Sequence, residues 1–480
     1  MKQPDMKKNL ILSTLYQVLT MLTPFITTPY ISRVLGDEGV GVFSYTNSIQ
    51  TYFAMFAALG TVIYGAREIA RHRDDEKLRS RLFWEIQLLT VLTTGICLVL
   101  WGGFVALSGE NQLYYLILTV NLVAVMLDIS WFYTGLEQFQ CIVAQNTVWK
   151  LLGIVALFVF VRDSGDVAPY IAVNVLTELA ANGRMWLYLP RYLTKVNARE
   201  LRVLRHFKQT LVYFIPTIAT SVYTVLDKTL IGAITRDNGQ NGHYEQATKV
   251  VNLAKALTFT ALNRVMEARI SYLYEQKQFD EIKDRIRQSM DYILFMGIGI
   301  LFGLVGVADR FVPAFFGEGW EPVVLLLQLM SPIVVIIGIS DCLGSQYYTP
   351  AGLRARSAKY LIAGAAANLV MNLCLIPFWG AVGAVIASVL AELLITWLYM
   401  HNCGGYLNWG QVAEQGWKKL VAGMAMLAAV LLLGKWIVPD IPAVIVQVVA
   451  GIGVYIAVLA LLKDPFVGQM GKFLPFRKKN

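Results

Sequence analysis

Long apolar stretches alternate with short charged turns from one end of the chain to the other. A helix needs about 20 mostly apolar residues to cross the hydrocarbon of a bilayer. Fourteen stretches meet that length: residues 10–32, 40–64, 82–107, 112–135, 141–161, 168–190, 209–234, 244–272, 289–314, 322–348, 358–378, 380–400, 418–438 and 442–462. The pattern predicts an all-α integral membrane protein with 14 transmembrane helices. Only the turn Phe378-Trp379-Gly380 divides the eleventh stretch from the twelfth. The eighth departs most from the pattern, carrying Lys249, Lys255, Arg264, Glu267 and Arg269. Its last turns are expected to protrude into the cytoplasm. Leu10–Ser32 is too long for the apolar core of a signal peptide and lacks a small-x-small cleavage motif, so it reads as a retained first span.

Composition supports the bilayer reading. Of 480 residues, 56% are hydrophobic and 15% charged, against about 45–50% and about 25% in soluble domains. Mean hydropathy is +0.54. A soluble enzyme, a disordered chain and a secreted disulfide scaffold are all disfavoured. The net charge of +9 could suggest nucleic acid, but its placement argues otherwise. An even number of spans puts both termini on one side. Of the 41 Lys and Arg, 29 fall on that side, 5 on the other and 7 inside spans. By the positive-inside rule the first side is cytoplasmic, so the basic excess is a topology signal and no nucleic-acid partner is expected. Cys97, Cys141, Cys342, Cys374 and Cys403 are far apart, with no CxxC. Neither a metal site nor a disulfide framework is supported, and no cofactor is expected. No loop exceeds about 20 residues, and neither GxxxxGK[ST] nor HExxH occurs. That leaves no room for a nucleotide-binding domain and weighs against a membrane glycan polymerase or ligase. No catalytic residue is assigned.

Ionisable residues inside spans are candidates for function. They are Asp128, Lys150, Glu178, Arg184, Asp227, Lys228, Lys249, Lys255, Asp341 and Glu392. For each, the alternative is a buried ion pair that fixes packing, or a side chain snorkelling to the interface. Asp227 and Lys228 lie in the outer half of the seventh span, and Lys249 and Lys255 in the outer half and middle of the eighth. One acid against three bases predicts a positive surplus that would attract an anionic group such as phosphate. Asp128 and Lys150 lie at similar depth on consecutive spans and are expected to pair. Glu178 and Arg184 are six residues apart and share no helix face; Glu178 is also a candidate proton or cation site. Pro24, Pro29, Pro216 and Pro332 stand inside spans, where each removes a backbone hydrogen bond and predicts a kink.

The first and seventh spans begin a faint repeat: a proline-kinked outgoing span, a charged exit, a glycine turn and a returning span. They lie six spans apart and run in the same direction. This suggests two parallel six-helix lobes, 1–208 and 209–400, with a binding site between them, plus two extra spans and a basic tail at 401–480. At these residues the chain resembles the bacterial polysaccharide repeat-unit flippases (Wzx type) of the multidrug/oligosaccharidyl-lipid/polysaccharide exporter superfamily. The resembling stretches are Pro29-Tyr-Ile-Ser-Arg-Val-Leu-Gly36, Gly39-Val-Gly-Val-Phe-Ser-Tyr45, Ala58-Leu-Gly60 and Tyr64-Gly-Ala-Arg-Glu-Ile-Ala70. Asp128-Ile-Ser-Trp-Phe-Tyr-Thr-Gly-Leu-Glu137, Phe214-Ile-Pro216 with Asp227-Lys228, and Tyr244-Glu-Gln-Ala-Thr-Lys249 continue it. Together they cover roughly the first 270 residues. The resemblance implies a multi-pass protein of the bacterial plasma membrane that moves oligosaccharide on undecaprenyl pyrophosphate from the inner to the outer leaflet by alternating access, for capsule or exopolysaccharide synthesis. It implies membrane lipids around the protein, and allows partners in the polysaccharide polymerase and chain-length machinery. By position, Arg33, Lys228 and Lys249 match places where basic residues could meet the headgroup. Ala268 stands where the family commonly has proline, which puts the end of the eighth span in question. A lipid II flippase and a cation-coupled drug exporter of the same superfamily remain alternatives.

Overall fold

The computed structural model describes residues 6–436 and 440–468, with side chains described except at 6–15, 18, 215–224, 261 and 264. The predicted kink at Pro216 and the charge of Arg264 lie outside the described side chains. Among the described residues the chain forms sixteen α-helices and two π-helical turns, joined by short 3-10 turns. Nine helical stretches there are long and apolar enough to cross a membrane. The helices divide into two compact units. One runs to Gly232 and takes in Asp237–Gly242; the other takes Ala233–Arg236 and continues from His243.

In the first unit, α1 (Met6–Ala58) joins the first two apolar stretches. Pro24 and Pro29 lie within it, but its non-helical residue is Gly36, at φ 68° and ψ −176°. A side chain is disfavoured at that backbone position, so the break falls at the glycine rather than at either proline. Then follow α2 (Thr61–Arg71), α3 (Glu76–Leu107), α4 (Gln112–Leu127), α5 (Ser130–Gly135), α6 (Phe139–Phe160), α7 (Val167–Met185) and α8 (Phe207–Thr235). Asp75 caps α3 by accepting from the Lys77 and Leu78 N–H groups at 3.1 and 3.0 Å. In the turn before α7, the Arg162 and Asp163 N–H groups donate to Asp166 and hold its carboxyl below the usual carboxylate range. The α7 segment is not among the nine apolar stretches, because Asn174, Glu178, Asn182 and Arg184 dilute it. The end of α1's glycine turn lies hard against Asp237–Gly242. A Cβ on Gly41 would overlap the Asn238 carbonyl oxygen, and one on Gly242 the Asp37 carbonyl oxygen. Most of the seventh apolar stretch therefore groups with this unit, whereas the sequence reading opens the second lobe at 209.

In the second unit, α9 (Asn238–Lys255) passes through a π-helical turn (Ala256–Thr260) into α10 (Ala261–Glu275). The helix runs on through Ala268 to Glu275. There follow α11 (Phe279–Phe316), α12 (Pro322–Met330), α13 (Ile333–Leu343), a second π-helical turn (Gly344–Tyr348), α14 (Arg354–His401), α15 (Trp409–Gly434) and α16 (Ile441–Leu461). The tenth apolar stretch divides where α12 meets α13 at Ser331–Pro332, the site of a predicted proline break. The 48-residue α14 folds back at Gly380 (φ 53°, ψ −130°). Its arms are antiparallel: Asn368 Nδ2 donates to Ser388 Oγ at 3.4 Å, and Gly364 lies against Ile395. The last two helices pack on α11, with Gly423 against the Phe302 ring and Tyr455 Oη donating to the Phe295 carbonyl at 2.9 Å.

Candidate functional site: a polar cavity in the first unit

Three helices of the first unit, α1, α6 and α7, line an open cavity of about 410 Å³. Its lining is unlike the apolar helices that form it. Tyr16, Thr23 and Thr27 come from α1, Asn146, Trp149 and Lys150 from α6, and Tyr170, Asn174, Thr177, Glu178 and Asn182 from α7. Residues 174, 178 and 182 recur every four positions and so fall on one helical stripe. Gly153 lets α6 approach α7 at this level, since a Cβ there would come within 2.9 Å of Thr177 Oγ1.

Hydrogen bonds fix the lining. Thr23, Thr27 and Thr177 donate to the carbonyls of Leu19, Thr23 and Val173 at 2.7, 3.1 and 2.6 Å. Asn174 Nδ2 donates to the Tyr170 carbonyl at 2.7 Å, and Asn182 Nδ2 to the Ala124 carbonyl at 3.0 Å. Behind the cavity runs an amide relay. Gln50 Nε2 donates to Asn121 Oδ1, and Asn121 Nδ2 to Glu178 Oε2, both at 2.9 Å. It ties α1, α4 and α7 together and orients the carboxylate. The Lys150 amine lies 5.9 Å from the centroid of the Tyr16 ring, a cation–π distance.

The second unit carries its own relay at the two π-helical turns. Gln346 Nε2 donates to Asn263 Oδ1 at 2.8 Å, and Asn263 Nδ2 to Asp341 Oδ2 at 2.9 Å. Lys255, the residue before the first π turn, interacts electrostatically with Glu392 and Asp341. Single π turns inserted in α-helices are frequent at functional sites. Among the described residues no group of His, Cys, Asp and Glu is arranged to hold a metal ion.

The structure redistributes the residues singled out by charge. Lys150 and Glu178 line one cavity. Asp128 does not pair with Lys150; it accepts from the Ser130 N–H at 2.8 Å at the entry to α5 and lies electrostatically near Glu178. A local turn, in which the Asp128 side chain bonds the backbone two residues on, takes the place of an ion pair across helices. Arg184, on α7, is exposed outside the cavity lining, and Arg33 is exposed at the glycine turn of α1. In α8, Asp227 is buried, and the Lys228 carbonyl accepts from Asn241 Nδ2 at 2.9 Å. Lys249 pairs with Glu245 at 3.5 Å. The expected surplus of three bases over one acid is thus reduced, because Glu245, Asp341 and Glu392 stand beside Lys249 and Lys255. The uncharged lining residues Asn146, Asn174 and Asn182, and Gln50 and Asn121 of the relay, were missed. Their signal was present as amide side chains inside apolar runs.

Residues 6–266 match the family described as "Polysaccharide biosynthesis protein". The "Putative O-antigen transporter" of Shigella dysenteriae is 26% identical over 396 residues, covering 81% of this chain and 98% of that protein. A protein of the same name from Escherichia coli (strain K12) is 23% identical over 404 residues, covering 82% and 96%. Among solved structures, the lipid II flippase MurJ in an inward closed conformation superposes with a TM-score of 0.76 at 12% identity, covering 95% of this chain and 98% of that one. At that identity the likeness speaks for the fold. The chain belongs to the polysaccharide biosynthesis protein family, as a multi-pass membrane transporter rather than an enzyme.

Proposed function

We propose that this protein is a flippase that carries undecaprenyl-pyrophosphate-linked oligosaccharide repeat units from the inner to the outer leaflet of a bacterial plasma membrane, by alternating access. In this reading the chain crosses fourteen times, with both termini in the cytoplasm. The observation that carries it is the alignment over 98% of the length of a protein named as an O-antigen transporter. The scarcity of loop chemistry and the polar cavity within an apolar helical unit support the same reading. Arg33, Lys228 and Lys249 are the proposed contacts for the pyrophosphate. Lys255 is left out of that set, because Asp341 and Glu392 oppose its charge.

The test is reconstitution into liposomes with lipid-linked glycans extracted from source cells that lack the protein. The glycan reaching the outer leaflet is measured by its accessibility to a membrane-impermeant oxidant. The native chain is expected to equilibrate the glycolipid between leaflets, and the Lys228→Ala/Lys249→Ala variant to do so at least about tenfold more slowly, the loss of one or two charge-assisted hydrogen bonds. Full activity in the double variant would remove the headgroup assignment. Equally rapid movement of lipid II would replace the repeat-unit reading with the lipid II one.

A further inference from the structure

The cavity of the first unit holds both open acceptors and open donors. The hydroxyls of Thr23, Thr27 and Thr177 and the amide N–H groups of Asn174 and Asn182 donate to backbone carbonyls. Those carbonyls only accept, so they fix which way each amide points. Asn174 Oδ1, Asn182 Oδ1 and Glu178 Oε1 have no donor among the described residues. Open donors share the wall with them: the Asn146 amide, the Trp149 indole N–H and the Lys150 amine make no hydrogen bond to a described residue. Its charged donor, Lys150, shares the space with the Glu178 carboxylate. The two formal charges cancel, leaving no net attraction for an anion.

A phosphate offers acceptors only and would leave the Asn174, Asn182 and Glu178 oxygens unmatched. A pyranose ring offers several hydroxyl donors, each able to accept in return. Its apolar face needs a flat partner, which the half-buried Trp149 indole supplies. At about 410 Å³ the space lies within the range of about 300–1,000 Å³ usual for small-ligand sites. We propose that this cavity is a saccharide subsite, which seats a hydroxyl-rich sugar of the cargo's glycan while the pyrophosphate binds elsewhere. This rests on the flippase reading and adds to it the part of the cargo that the first unit recognises.

Asn146 and Trp149 allow a clean test, because neither makes a hydrogen bond to another described side chain or carbonyl that its replacement would break. The full chain in lipid nanodiscs is titrated with two probes and binding is read by native mass spectrometry. One probe is the lipid-linked glycan pool extracted from source cells lacking the protein; the other is undecaprenyl pyrophosphate without sugar. Asn146→Leu and Trp149→Leu are expected to weaken the glycolipid about tenfold, roughly one or two hydrogen bonds, and to leave the sugar-free lipid unchanged. Glu178→Gln, which can still accept from Asn121, should weaken the glycolipid in the same selective way. Retention of the glycolipid at native strength in Asn146→Leu and Trp149→Leu would overturn the subsite, as would an equal loss of both probes. A native chain that binds neither probe would instead defeat the flippase reading, and the subsite with it.

Discussion

Glu85 on α3 is fully buried, yet four nitrogen groups converge on its carboxylate. Arg81 Nε lies at 2.9 Å, an Arg205 guanidinium nitrogen at 2.5 Å, His206 Nε2 at 2.8 Å and the Arg202 N–H at 2.8 Å. It anchors the connection that leads from α7 into α8. Removing one partner of a buried charge cluster leaves the others unpaired, which costs about 3–5 kcal/mol. Glu85→Ala should therefore lower stability by about that amount, seen as a large drop in the melting temperature of the purified protein in detergent. Glu85→Gln should lose less, since an amide oxygen still accepts from the Arg202 N–H; equal melting of Glu85→Ala and the native chain would deny the network any such role. Little of this was legible in the sequence. Arg81, Arg202 and Arg205 read there as topology charges, and that reading is compatible with their place beside short connections. Their shared partner lies more than a hundred residues from two of them, so no local pattern could reveal it. Asp128 shows the opposite error: two charges at similar depth suggested a pair, while the next turn of backbone had first claim on the carboxylate.

At the scale of elements, apolar length and glycine placement were the readable signals. The fold-back at Gly380 follows from the short turn Phe378-Trp379-Gly380 between two apolar runs, and the backbone there takes a conformation that glycine favours. The π-helical turns at Ala256–Thr260 and Gly344–Tyr348 left no such trace, because an extra residue in a helix depends on what packs against it. The docking of α15 is similar. Lys419 counts in the sequence as a cytoplasmic basic residue, but it is fully buried, with Asp291 at 2.7 Å, Asp464 at 3.2 Å and the Gln415 carbonyl at 2.8 Å. It joins α15 both to α11 and to the segment after α16. Lys419→Met should destabilise the second unit by about 3–5 kcal/mol, through two carboxylates left without a cation. Limited proteolysis should then cut near α15 well before the native chain is cut. Adding Asp464→Leu to Lys419→Met should recover part of that loss, because one of the orphaned charges goes with it. If the single variant resists protease like the native chain, the pair α15–α16 is held by its apolar contacts with α11 alone.

At the scale of the whole molecule, the informative quantity is charge across a membrane. Once fourteen spans are counted, the basic residues fall so unevenly between the two sides that the proposed topology puts both termini in the cytoplasm. That inference gives the proposed transport a direction. A pyrophosphate headgroup carries about two negative charges. Each charge moved through 100 mV is worth about 2.3 kcal/mol, so a potential negative inside favours outward movement by about 4–5 kcal/mol. For passive movement of the headgroup, that corresponds to a change of about a thousandfold in the equilibrium ratio between leaflets. Nothing in the proposed mechanism needs a nucleotide. Liposomes containing the protein, a potassium gradient and valinomycin can set the potential at zero or at 100 mV negative inside. The outer-to-inner ratio of the lipid-linked glycan should rise steeply with the imposed potential and fall back when the gradient is collapsed. This readout depends on equilibrium, so mixed orientations of the reconstituted protein do not blur it. A ratio that ignores the potential would mean that compensating charge crosses with the headgroup. The carboxylates held by amide relays, Glu178 in the first unit and Asp341 in the second, would then be the first places to look for the cation that neutralises it.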